Sequence, residues 1–227
     1  MKIFSYPHAG GSASSFNYFK KNFPNHIGEI IPIEIPGRGR RSKESFSKDI
    51  TDCIVQCLDQ LPITEDYILH GHCMGALIAF ETIKYLSKND KNLPKMLIVS
   101  GRNAPGYQTE WGHKVAKLED KDLFNELKSV GGIPKGLSFS MAQQFLSIIK
   151  NDQKIVHSYI PDNKMINIPI LVLSGDKDFM TNKDALEEWN NFTSETISYS
   201  VMRGEHYFIY DQPEIFANNV KNMLEHK

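Results

Sequence analysis

At 227 residues the chain is long enough to bury a sizeable core and suits one α/β domain carrying an insertion. Its 41% hydrophobic and 23% charged content argues against a disordered or fibrous protein, and a net charge of -1 with dispersed basic residues leaves no footprint for nucleic acid or an anionic membrane. Three cysteines without a paired framework point to a reducing compartment, and no secretory signal or membrane-spanning run is read, so a cytoplasmic monomer is expected.

Short runs of Ile, Val and Leu alternate with helical patterns, the rhythm of a mostly parallel sheet flanked by helices. A first strand over 3–6 runs into Pro7-His8-Ala9-Gly10-Gly11-Ser12, a glycine-rich loop able to bring a backbone N–H close to a reacting carbonyl. A second strand over 29–35 precedes Pro36-Gly37-Arg38, where Arg38, Arg40 and Arg41 read as a solvated basic loop. Over 50–61, Ile50, Cys53, Ile54, Cys57, Leu58 and Leu61 recur at helical spacing, and Cys53 and Cys57 on that stripe are expected as buried core thiols rather than metal ligands. A third strand over 67–70 enters Gly71-His72-Cys73-Met74-Gly75 and a helix over 75–86, followed by a strand over 96–100.

The stretch 102–164 breaks the rhythm. It is too long for a plain connection and reads as an insertion, with helices over 122–130 and 141–159 and a Gly131-Gly132-Ile133-Pro134 turn, of the kind that acts as a lid. Phe124, Phe139 and Phe145 in it could line an acyl channel, but aromatic residues at helical spacing are more often core, and no substrate pocket is assigned to them. A strand over 170–174 ends in Gly175-Asp176-Lys177-Asp178, and one over 196–201 is followed by Gly204-Glu205-His206-Tyr207-Phe208. The last helix, over 213–224, opens with Asp211 and Glu214 spaced as a capping box.

Three of these segments carry chemistry. Gly-x-Cys-x-Gly between strand and helix is a nucleophile elbow with Cys73 at its tip, where glycines let the turn close and the helix N-terminus favours a thiolate. The other parts follow in the order nucleophile, acid, histidine. Asp178 is the orienting acid, with Asp176 on the same loop as its rival, and His206 is the general base. Most of the eight histidines have blander explanations: His70 and His72 flank the elbow, His113 and His157 lie in the insertion, and His226 is in the tail. The N–H groups of Ala9 and Met74 would form an oxyanion hole, each such donor contributing roughly 3 kcal/mol to the transition state.

These motifs together resemble, over essentially the whole length, the type II (external) thioesterases that accompany nonribosomal peptide and polyketide synthetases. The resemblance implies an α/β-hydrolase fold with a helical lid at about 102–164 and hydrolysis of acyl or aminoacyl groups from the phosphopantetheine arm of a carrier protein. The protein then needs no cofactor of its own, since that arm belongs to the substrate. Cys73 departs from the family's usual serine. An acyl-Cys73 intermediate is itself a thioester and nearly isoenergetic with the substrate, so acylation is readily reversible. A Cys-dependent acyltransferase, or a small-ester hydrolase resembling dienelactone hydrolases, stays open beside the thioesterase.

Overall fold

The alternation of apolar runs and helical stripes produces a sheet with helices on both faces. In this computed structural model the described residues are all but 63, 108, 134, 135, 226 and 227; Pro134 of the expected turn and His226 of the tail lie outside them. In chain order the elements are β1 (Lys2–Tyr6), α1 (Asn17–Asn22), β2 (Glu29–Pro32), α2 (Ile50–Cys57), β3 (Tyr67–His72), α3 (Met74–Lys88) and β4 (Leu97–Ser100). There follow α4 (Glu110–Val115), α5 (Asp120–Ser129), α6 (Phe139–Ser158), β5 (Ile170–Gly175), α7 (Lys183–Glu187), β6 (Ile197–Met202) and α8 (Pro213–Glu225).

The strands lie in the order β2-β1-β3-β4-β5-β6, and every adjacent pair is parallel. Both faces of the central strands are covered, which is why they read as unbroken apolar runs. Successive side chains still alternate: Phe4, Leu69, Val99 and Val172 join the core beneath α2 and α3, while Ile3, Ile68, Ile98 and Leu171 join the opposite core with Phe19 of α1 and Phe216 of α8. Cys53 and Cys57 are buried in the first of these cores, as expected.

The chain turns to one side of the sheet after β1 and to the other after β3. Their carboxyl ends therefore diverge at a topological switch point, which opens a crevice in a parallel sheet. Helices α4 to α6 fill the stretch between β4 and β5. They build a small core of their own around Leu123, Phe124, Leu127, Leu146 and Ile149, while Ile155 and Val156 near the end of α6 pack into the main core. Phe124 and Phe139 meet edge to face in that small core, as read from the sequence.

Several boundaries differ from the sequence expectations. The second strand stops at Pro32 rather than 35; Glu29 and Ile33 donate into β1, to the Met1 and Ser5 carbonyls, so the missing N–H of Pro32 falls on the open edge of the sheet, where proline is tolerated. Helix α2 ends at Cys57 and tightens into a 3-10 turn over Leu58–Gln60. Helix α8 starts with Pro213 at its first position, which puts Gln212 in the cap position and Asp211 one residue upstream of it. Helices α1, α4 and α7 have five or six residues each, too few to show a period.

Candidate active site

Cys73 sits where β3 ends and α3 begins, with φ 55° and ψ -114°, a conformation that costs a non-glycine residue on the order of 1–3 kcal/mol. The neighbours hold it there. A Cβ on Gly71 would come within 2.0 Å of the Gly75 carbonyl oxygen, and one on Gly75 within 2.3 Å of the Tyr6 oxygen, so only glycine allows the strand, the helix and β1 to approach this closely. The Cys73 N–H donates to the Ser100 carbonyl at 2.9 Å.

The loops after β5 and β6 bring Asp178 and His206 to the same sheet edge. His206 Nδ1 lies 3.0 Å from both carboxylate oxygens of Asp178, and Oδ1 also accepts the Met180 N–H at 2.9 Å. Asp176 is exposed and accepts the Gly204 N–H at 2.6 Å, which ties the two loops together; the structure thus separates the rivals, with Asp178 alone facing the imidazole. Cys73 and His206 are both buried, at 8% and 4% exposure, and near enough that each shifts the other's titration.

Burial by itself would push the Cys73 thiol up. The charge and hydrogen bond of His206, then the Arg102 guanidinium and the Met74 N–H, outweigh it and hold the thiol below its ordinary value. Burial likewise opposes a charge on His206, but the negative charge of Cys73 and the bond to Asp178 raise its pKa to about 10. Cys73 and His206 thus favour each other's charged forms, beside a carboxylate that orients the imidazole, a set able to attack an acyl carbonyl.

The other histidines near the elbow stay neutral. His70 is buried between Ser5 Oγ at 3.1 Å and Ser100 Oγ at 3.0 Å, and burial lowers its pKa to about 3. His72 bonds Ser100 Oγ at 2.9 Å, and burial, with the charge of His206, takes it well below the usual imidazole value. Burial also lowers His8, on the glycine-rich loop, to about 4.

Two cavities meet at Cys73. One is lined by Ala9, Met74, Arg102, Tyr107, Gln153 and His157, so both expected oxyanion donors border it; the other is lined by Trp111, Leu127, Ile149, Phe179, His206 and Tyr207. Helices α4 to α6 supply much of both walls. Phe145 lies instead on a third opening, beside His8, Gly10 and Tyr207.

Three residues escaped the sequence reading. Arg38 is not part of a solvated basic loop: it is 2% exposed and forms a bidentate ion pair with Asp152 of α6, which is fully buried, at 2.6 Å for each contact. Arg40 is exposed as expected, whereas Arg41 is half-buried against Glu44 and the Glu34 and Gln56 carbonyls. Nothing local marks Arg38, since its partner is 114 residues away. The side chain of Arg102, the third, has no hydrogen-bond or ion-pair partner among the described residues, its Nε is buried, and its charge favours the Cys73 thiolate. Its only signal in the sequence is its place just past a strand end, at the edge where the site forms.

A family model described as a thioesterase domain matches residues 1–224. The chain is 26% identical over 231 residues to the linear gramicidin dehydrogenase LgrE of Brevibacillus parabrevis, covering 98% of this chain and 87% of that protein. It is 29% identical to the gramicidin S biosynthesis protein GrsT of Aneurinibacillus migulanus, covering 93% and 84%. Among solved structures it is similar to YbtT, a type II thioesterase from the yersiniabactin NRPS/PKS pathway, with a TM-score of 0.88 at 24% identity over 99% of this chain and 93% of that one; this likeness bears on the fold.

Proposed function

The chain belongs to the thioesterase family, whose model spans nearly its whole length, and from that premise we propose that it removes acyl or aminoacyl groups from the phosphopantetheine arm of carrier proteins in nonribosomal peptide or polyketide synthesis. The observation that carries this reading is the buried chain Cys73, His206, Asp178 at the switch point of the sheet, with Ala9 and Met74 bordering the same cavity.

The Cys73 thiolate attacks the carbonyl carbon of the thioester. The oxyanion that forms takes hydrogen bonds from the Ala9 and Met74 N–H groups, and collapse expels the pantetheine thiolate, which takes its proton from His206. What remains is acyl-Cys73 with a neutral imidazole. The negative charge on Cys73 is the main influence raising His206, so acylation of the sulfur removes it, and burial then favours the neutral base. His206, steered by Asp178, can now take a proton from water as the water oxygen attacks the acyl carbon. Collapse of the second oxyanion releases the free acid and restores the thiolate.

The reaction so written draws on no cofactor of the protein's own. Helices α4 to α6 act as a lid over a single α/β-hydrolase domain, a role supported by their share in the walls of both cavities. The protein works as a cytoplasmic monomer in this reading; its three free thiols fit a reducing compartment, and among the described residues no helix is long and apolar enough to cross a membrane.

Intact-protein mass spectrometry after mixing with acyl-loaded carrier tests the proposal. Wild type is expected to unload the carrier and release free acid, and Cys73→Ala and His206→Ala to leave it loaded. Acyl moved to an added thiol or amine instead would make the protein a transferase, and a carrier that stays loaded with wild type would remove the carrier substrate.

A further inference from the structure

The glycine-rich loop that bears Ala9 is not held by its own sequence. Gly10 has φ +79°, and its N–H donates to Asp152 Oδ2 at 2.7 Å. Arg38 Nη1 donates both to that same oxygen at 2.6 Å and to the Gly11 carbonyl at 3.2 Å, while Nη2 reaches Asp152 Oδ1 at 2.6 Å. One carboxylate from α6 and one guanidinium from the loop after β2 thus hold the Ala9–Gly10 and Gly11–Ser12 peptides. The contact is also close in space: a Cβ on Gly10 would lie 2.5 Å from Ile149 Cγ1, again on α6. With α6 withdrawn, Arg38 would be a buried cation without its counter-charge, and the Gly10 N–H would lose its acceptor.

Resting on the thioesterase reading, we propose that Asp152, together with Arg38, is a positioning residue of the reaction: it fixes residues 8–11 so that the Ala9 N–H faces the thioester carbonyl, and the oxyanion hole is complete only while α6 is docked. The lid helix is then part of the catalytic assembly and not only a wall of the pocket. Substrates that hold α6 away would be bound without being cleaved, and lid closure becomes a condition of chemistry.

The proposal separates two properties of Cys73. Alkylation by iodoacetamide needs the thiolate but no oxyanion hole, whereas acylation and deacylation need both. In Asp152→Asn, kcat on an activated aryl acyl thioester is expected to fall about 100-fold, the loss typical of one misplaced oxyanion donor. KM should change less than about threefold and the alkylation rate about twofold, since the thioester pocket and His206 are untouched. Because a buried charge left without its partner can destabilise the fold, Arg38→Met with Asp152→Met serves as the second variant, expected to recover the wild-type melting temperature but not the wild-type kcat.

Unchanged kcat in Asp152→Asn, alkylation falling in parallel with kcat, or a double variant that recovers turnover along with stability would each overturn the proposal. Running acyl-loaded carrier beside the aryl thioester keeps the two conclusions apart: wild type that turns over only the aryl thioester would sink the carrier assignment and leave this test intact, while wild type that forms no acyl-Cys73 from either would remove both.

Discussion

An ordinary thiol is mostly protonated at neutral pH, and Cys73 is held below that value by its neighbours. The signs are opposite for the two partners. The depressed thiol keeps its charge to lower pH than a free cysteine does, and His206 keeps its proton until pH rises through about 10. Iodoacetamide alkylation of wild type should therefore fall less between pH 8 and pH 6 than that of a free cysteine, which loses about tenfold per unit below its pKa. In His206→Ala the thiol reverts towards an ordinary or higher pKa, and alkylation at pH 6 should be at least about tenfold slower, with a rate that climbs about tenfold per unit of rising pH. Arg102→Gln should show the same trend more weakly, a loss of about threefold, as expected of one partly screened charge. Equal rates for wild type and His206→Ala at pH 6 would show that the thiolate does not depend on the imidazole. At this scale the sequence was informative for Cys73, Asp178 and His206, because order along the chain and glycine spacing are local signals. It was silent on Arg38 and Arg102, whose meaning lies in a partner far along the chain or in the lack of one.

The elbow is a property of elements in contact, not of Cys73 alone. Gly71, near the end of β3, lies against the first turn of α3, and Gly75, within that turn, lies against the end of β1. In Gly71→Ala the new methyl would meet backbone, which cannot rotate away, so a loss of about 3 kcal/mol or more in urea unfolding is expected. A loss below about 1 kcal/mol would mean that the strand and helix can part without harm. The long elements were legible because the central strands carry apolar runs and α2, α3, α6 and α8 carry stripes long enough to count. Short α1, α4 and α7 were not, and the apolar run outlasts the second strand because Ile33 and Ile35 stay buried beyond Pro32.

Across the molecule, apolar burial is divided three ways: a core on each face of the sheet and a smaller one within α4 to α6. A small separate cluster opens at lower free energy than the sheet it sits on. Hydrogen exchange should find amides of α5 exchanging at least about tenfold faster than those of β3 and β4, with the later part of α6, joined to the main core and to Arg38, protected better than α5. Uniform protection across α5 and the sheet would mean that the insertion opens only with the whole fold.

By itself the sequence determined the α/β rhythm, the parallel sheet, the insertion, and the identity and order of the three residues that meet at the elbow. These are readable because hydrophobic period, glycine spacing and strand-end position act over a few residues. Tertiary structure alone decided which aspartate faces His206, that Arg38 is buried, and that a carboxylate on α6 holds the glycine-rich loop after β1. Those outcomes depend on which distant side chain supplies the opposite charge or the missing hydrogen bond in a space closed to water, and spacing along the chain carries no record of it.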